Sequence, residues 1–453
     1  MSFSRSAFVA ACALIASACA PATSSITPAD LSAPEAAPPA EPQTRLEPRE
    51  WTAQSPAAEI AAWAREGCRR PAEGKDVCIE RMLAGLLQQA GVAKSMEVLD
   101  TLANADPEIF PNGHALAHGL GISAYRSPQT LAATFAACPA SQMSGCQHGV
   151  IQGYFLEMSR QGRQIGRAEL DALCEPHQST MFVYHHCAHG MGHGLMAVHG
   201  NHLPSALAAC DLASDEFVRR TCYGGAFMEN IVNVTHPHHT AGGHADVQGG
   251  GEHGAGGHGG HGAHGAQAMD HGPWKALDPD DLLYPCNVLE ARYLDDCYNN
   301  QTSAIMFFTR GDVERTARLC ALPDPDLGVT CMFSLGRDIT AWAAQDHGRV
   351  IEMCQRAGAA GGGRTGTWCA LGALGTLINQ SADPQDGIRF CRALTGADAK
   401  RDCYRVVGES ISRMVVGTQA RSRQCETAEP EFVVTCRRGA GVEPSGIHPP
   451  GAS

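Results

Sequence analysis

The sequence predicts an all-α fold, a disulfide-stapled α/α solenoid of about ten helix-pair repeats of ~34 residues with little or no β-structure. Three observations carry this expectation. Eighteen of the twenty cysteines fall into nine close pairs. These are Cys68 with Cys78, Cys138 with Cys146, Cys174 with Cys187, Cys210 with Cys222, Cys286 with Cys297, Cys320 with Cys331, Cys354 with Cys369, Cys391 with Cys403 and Cys425 with Cys436. The second member of each pair recurs at intervals near 34 residues or twice that, as in an array whose units each close a local crosslink. Apolar residues flanking the pairs recur at three- and four-residue spacing, and no stretch sustains the two-residue alternation of a strand.

Residues 1–18 read as an export signal. Arg5 supplies positive charge, Ala7 to Ala18 form a short apolar core, and small residues precede Cys19. That core is shorter than the ~20 residues that span a bilayer. The run Leu14-Ile15-Ala16-Ser17-Ala18-Cys19 looks like a bacterial lipobox, which implies cleavage before Cys19 and a lipid anchor on it. Ala16 stands where the motif prefers leucine, so an ordinary cleaved signal peptide stays open. Either way the expected location is the bacterial cell envelope, in the periplasm or on the periplasmic face of the outer membrane. Residues 19–50, rich in Ala and Pro, lack apolar periodicity and read as a disordered tether. The net charge of −13, without a basic stripe, excludes nucleic acid as a partner.

Residues 51–235 form the N-terminal half of the array. The first cysteine of a unit closes a helical run, as Leu131 to Cys138 does, and the second opens another, as Cys403 to Ile411 does. The segments between are turn-like, with Pro323-Asp324-Pro325-Asp326 and Gly361-Gly362-Gly363 as clear cases. One unit has lost both cysteines together. It is centred on Asn112, where the text from Pro111 to Leu120 runs parallel to His186 through Leu195. Residues 236–272 are an insertion, residues 273–440 the C-terminal half, and residues 441–453 a tail expected to be disordered.

This pattern resembles the tetratricopeptide-like superfamily, most closely its cysteine-rich Sel-like repeats. Asp383-Pro384 before a helix, Cys391 near its end, and Cys403 opening a second helix that contains Gly408 carry the likeness. The resemblance implies a right-handed superhelix of antiparallel helix pairs and an adaptor role, with an envelope protein as partner on the solenoid's extended surface. Loops of roughly ten to fifteen residues make each bridge worth up to ~3 kcal/mol in the chain-entropy model. Summed over the set, this exceeds the ~5–15 kcal/mol net stability of an ordinary domain. Zinc binding by the cysteine pairs is disfavoured because no CxxC knuckle is present.

Histidines form two populations. The first is a row in register: His114, His148 and His189 stand two residues after the reference position of successive units, and His118 and His193 stand four residues further on. A helical i, i+4 pair presents both imidazoles on one face, so His114 with His118, and His189 with His193, each suit a metal. His185 and His186 lie beside the row. A three-histidine site built from His148 and one flanking pair is easier to form than a four-histidine site from both pairs, whose units lie two steps apart. The competing reading makes the row a packing feature, with Gly119, Gly149, Gly190 and Gly194 letting helices approach closely. The second population lies in the insertion: His236, His238, His239, His244, His253, His258, His261, His264 and His271, separated largely by Gly and Ala. Such a flexible imidazole tract suits Cu, Zn or Ni, unless it is a low-complexity expansion without a role.

Motifs of conventional catalysis are missing: the sequence has no HExxH, GxSxG, P-loop or dinucleotide fingerprint, and no CxxCH for covalent haem. Glu157 and Glu229 are read as lying on the same helices as the row, where either would serve as a ligand or general base beside a metal; the expectation is that both are solvated face charges instead. Three functions follow. The first is a membrane-tethered solenoid that binds transition metal and a protein partner without turnover. The second is a metal-dependent enzyme centred on the histidine row, and the third a pure interaction scaffold.

Overall fold

The computed structural model describes residues 52–235 and 274–443, apart from residues 53, 72 and 73. Cys19 with the residues expected to form a signal and tether, the nine histidines of residues 236–272 and residues 444–453 lie outside the described residues. Every described element is helical, and 18 α-helices follow one another. They are α1 (Ala57–Gly67), α2 (Lys75–Ala105), α3 (Gly113–Ala124), α4 (Leu131–Ala137), α5 (Gly145–Arg160), α6 (Arg167–Leu173), α7 (Met181–Val198), α8 (Leu203–Cys210) and α9 (Glu216–Thr235) in the N-terminal half. The C-terminal half holds α10 (Ala291–Thr309), α11 (Val313–Cys320), α12 (Pro325–Trp342), α13 (His347–Gly361), α14 (Thr365–Ser381), α15 (Pro384–Ala393), α16 (Ala397–Met414), α17 (Thr418–Cys425) and α18 (Val433–Gly439).

All nine expected disulfides form, each within its own unit. In the N-terminal half Cys68 bonds to Cys78, Cys138 to Cys146, Cys174 to Cys187 and Cys210 to Cys222. In the C-terminal half Cys286 bonds to Cys297, Cys320 to Cys331, Cys354 to Cys369, Cys391 to Cys403 and Cys425 to Cys436. Bridges of this density belong to an oxidising compartment, as in exported proteins. No described helix is long and apolar enough to cross a membrane. The cysteine-less unit is present as well. Gly91, at φ 80°, breaks α2 into two helices, and the segment after the break pairs with α3. Local chemistry explains many boundaries. Asp312, Asp346 and Asp383 accept from the backbone N–H groups of Arg315, Arg349 and Gln385 at helix starts, and Pro325 and Pro384 occupy first-turn positions. One unit departs from the pattern. Before Cys286 the chain runs through turns instead of a helix, with a cis Tyr284–Pro285 bond, so the unit after the insertion keeps only its second helix, α10.

The second helices pack on one another in succession, from α3 through α5, α7, α9, α10, α12, α14 and α16 to α18, and form an inner row. Glycine sets how closely they approach. A Cβ on Gly149 of α5 would lie 2.0 Å from the His118 carbonyl of α3, and one on Gly225 of α9 would lie 2.0 Å from the His189 carbonyl of α7. Backbone-to-backbone contacts of the same kind join α12 to α14 at Gly336 and Gly372, and α16 to α18 at Gly408 and Gly439, and the row curves. The curve returns on itself. Helix α14 packs against the 3-10 turn Gln142–Ser144 at the foot of α5, where Gln380 Nε2 donates to Gln142 Oε1 at 2.8 Å, and α16 touches α7. These contacts close the superhelix around a central cavity.

Candidate metal centre

Helix α5 places His148 in the middle of the histidine row, with α3 on one side and α7 on the other. Because the helices meet at glycines, the imidazoles converge. Ring centroids lie 5.5 Å apart for His114 and His148, 4.9 Å for His148 and His189, and 5.1 Å for His189 and His193. His118 and His193 come within 4.5 Å although their units are two steps apart. The physical reason is the glycine contact, which brings α3 and α7 closer across α5 than ordinary side-chain packing allows. The packing role weighed for these glycines and the clustering of the histidines are one arrangement.

Two triads have ligand nitrogens within 4.8 Å of one another: His114, His118 and His148, and His148, His189 and His193. Three imidazoles around one ion at ~2.0–2.1 Å place their nitrogens roughly 3.4 Å apart, so either triad closes onto a metal with side-chain adjustments of about an ångström. The second triad is buried throughout. His148 Nδ1, His189 Nε2 and His193 Nε2 are buried without a hydrogen-bond partner. An unsatisfied buried polar atom costs about 1–3 kcal/mol, and three in one cluster call for a shared ligand.

Neighbouring groups orient these rings. His193 Nδ1 lies 2.7 Å from Glu229 Oε2, with both side chains almost completely buried. This corrects the expectation of a solvated carboxylate at Glu229. A carboxylate on one ring nitrogen directs the other nitrogen's lone pair toward a metal, the usual arrangement behind metal-binding histidines. His148 Nε2 bonds His186 Nδ1 at 3.0 Å. His114 Nδ1 lies 2.8 Å from the Gln142 carbonyl, on a turn whose Gln142, Met143 and Ser144 all hold positive φ, between 51° and 58°. Burial, reinforced by repulsion between imidazoles, holds His148, His186 and His189 well below the ordinary value of 6.5. They are therefore neutral at pH 7, the state in which imidazole binds metal.

The remaining predicted residues of the described chain belong to neither triad. His185 is exposed, and its ring stacks on His189 at 5.8 Å. Glu157 is half-buried, accepts from the Tyr125 hydroxyl and from Gln161 Nε2, and belongs to neither triad. The row's far end opens elsewhere. His114 lines a central cavity of about 560 Å³, which also takes in Met143, residues of α9, α10 and α12, and Gln380 of α14. Sequence reasoning missed this cavity, the Gln142 turn and the burial of Glu229. The cavity arises only from closure of the superhelix, which no local pattern encodes. Compared with family models, curated protein sequences and solved structures, the chain matches none.

Proposed function

We propose that the protein is an exported α-solenoid of the bacterial cell envelope that holds one transition-metal ion, Cu, Zn or Ni, between His148, His189 and His193. The three partnerless buried nitrogens of this triad carry the reading, and the Glu229 carboxylate behind His193 supports it. Imidazole ligands suit these three metals, which the histidine tract of residues 236–272 also attracts. That tract leaves α9 after Thr235, and Thr235 lines the same cavity as His114. In this reading Cys19 carries the lipid anchor, and an envelope protein docks on the outer helices in the manner of Sel-like repeats.

Metal analysis of protein purified without a histidine tag tests the proposal on the wild type, a deletion of residues 236–272, and the double variant His148→Ala with His189→Ala. One tightly held ion that survives the deletion and disappears in the double variant is expected. Metal lost with the deletion alone would overturn the ordered centre. The second reading, a metal-dependent enzyme, draws on one observation: His114 puts the row in contact with a cavity through which a substrate could reach an open coordination position.

A further inference from the structure

The central cavity has features of its own that the metal reading does not use. Its volume of about 560 Å³ falls in the range of small-molecule sites and is too small for a folded partner. Much of its lining is apolar, including Met228, Ile231 and Leu377. Two aromatic side chains on that wall, Phe307 and Trp342, are 45% and 47% exposed. Large aromatics are ordinarily covered, and two left open on one concave wall mark a surface that awaits an occupant.

Polar side chains stand between the apolar ones on the lining, and the two charged groups among them are locally paired. Arg337 pairs with Asp338 at 3.0 Å and donates to Ser303 Oγ and the Asn299 carbonyl, while Asp338 also accepts from Ser303 and Thr302. The two charges offset each other, so the cavity has no net demand for a charged occupant. A second polar patch lies at His114 and Gln380, which share Gln142 as their partner.

We propose that this cavity is a binding site for a small, largely apolar, uncharged organic molecule with an aromatic or acyl body and one hydrogen-bonding end. The body lies on Phe307 and Trp342, and the polar end meets the Gln380 amide beside His114. The site belongs to the closed superhelix and is independent of whether metal occupies the histidine triad.

The test uses N-phenyl-1-naphthylamine, an uncharged aromatic probe, with chelator-treated full-length protein. Saturable binding of one probe per chain is expected, with quenching of Trp342 fluorescence. Phe307→Asp and Trp342→Ala change exposed side chains, so circular dichroism should show them folded, and each should weaken binding about tenfold or more. His148→Ala, which breaks the triad and does not line the cavity, should bind the probe as the wild type does, and this separates the proposal from the metal reading. Unsaturable binding, or binding indifferent to both wall variants, would overturn the proposal. So would a gain of about tenfold on deleting residues 236–272, which would mean that this segment fills the cavity itself.

Discussion

Replacing Glu229 with glutamine should weaken metal binding without dismantling the fold. Glu229 sits on α9 and accepts from His193 Nδ1 at 2.7 Å, and its other oxygen lies 3.3 Å from Asn233 Nδ2. Glutamine keeps the volume and one acceptor oxygen but removes the negative charge that raises the basicity of His193 Nε2. Loss of such a partner costs about 10–100-fold in metal affinity, or roughly 1.4–2.7 kcal/mol. The assay is a competition titration of Zn(II) against a chelating dye, on protein lacking residues 236–272 so that the histidine tract contributes nothing. Asn233→Ala, which leaves the carboxylate in place, should change affinity less than Glu229→Gln does. If Glu229→Gln binds zinc within about twofold of the parent, Glu229 is an ordinary packing partner of His193 and the orienting role assigned to it is wrong.

Other perturbations reach the fold and the site separately. In metal-free protein His148, His186 and His189 resist protonation, whereas in the unfolded chain they take up protons near pH 6.5. The unfolded state then binds more protons, so stability should fall as pH drops below about 6.5, by up to ~1.4 kcal/mol per pH unit for each histidine, as urea melts at stepped pH would measure. Gly149→Ala places a Cβ 2.0 Å from the His118 carbonyl and forces α3 from α5. It should cost about 1–3 kcal/mol in urea melts and weaken zinc binding in the same titration. Cys391→Ser combined with Cys403→Ser removes a bridge of sequence separation 12 from a unit without row histidines. Thermal melts should show a loss of up to about 3 kcal/mol with zinc affinity unchanged.

The parts of this structure that were legible in the sequence are those written locally. Cys174 and Cys187, or Cys391 and Cys403, lie close along the chain and flank a turn, so period and pairing identified each bridge and the helices on both sides of it. The unit at Asn112 was readable because its text copies another. The helix before Cys286 was not: its place in the period was correct, but the residues there follow turn chemistry around Tyr284–Pro285. The histidine row was visible as a register, and its convergence was not. Ring separations depend on how closely α3, α5 and α7 pass at Gly149 and its neighbours, and that distance follows from packing rather than spacing. Glu229 looked like a surface charge because nothing in the sequence of α9 places His193 opposite it. The cavity lies further still from the sequence, since Gln142 and Gln380 meet only when the whole array has turned.

The central claim is that imidazoles from α5 and α7 close on one ion. Anomalous diffraction at the zinc edge, from crystals of tag-free protein lacking residues 236–272 and loaded with one equivalent of Zn(II), tests it most directly. A single peak about 2.0–2.1 Å from nitrogens of His148, His189 and His193 is the expected result. A peak on surface groups only, or density in which these three rings keep their separation around no metal, would contradict it.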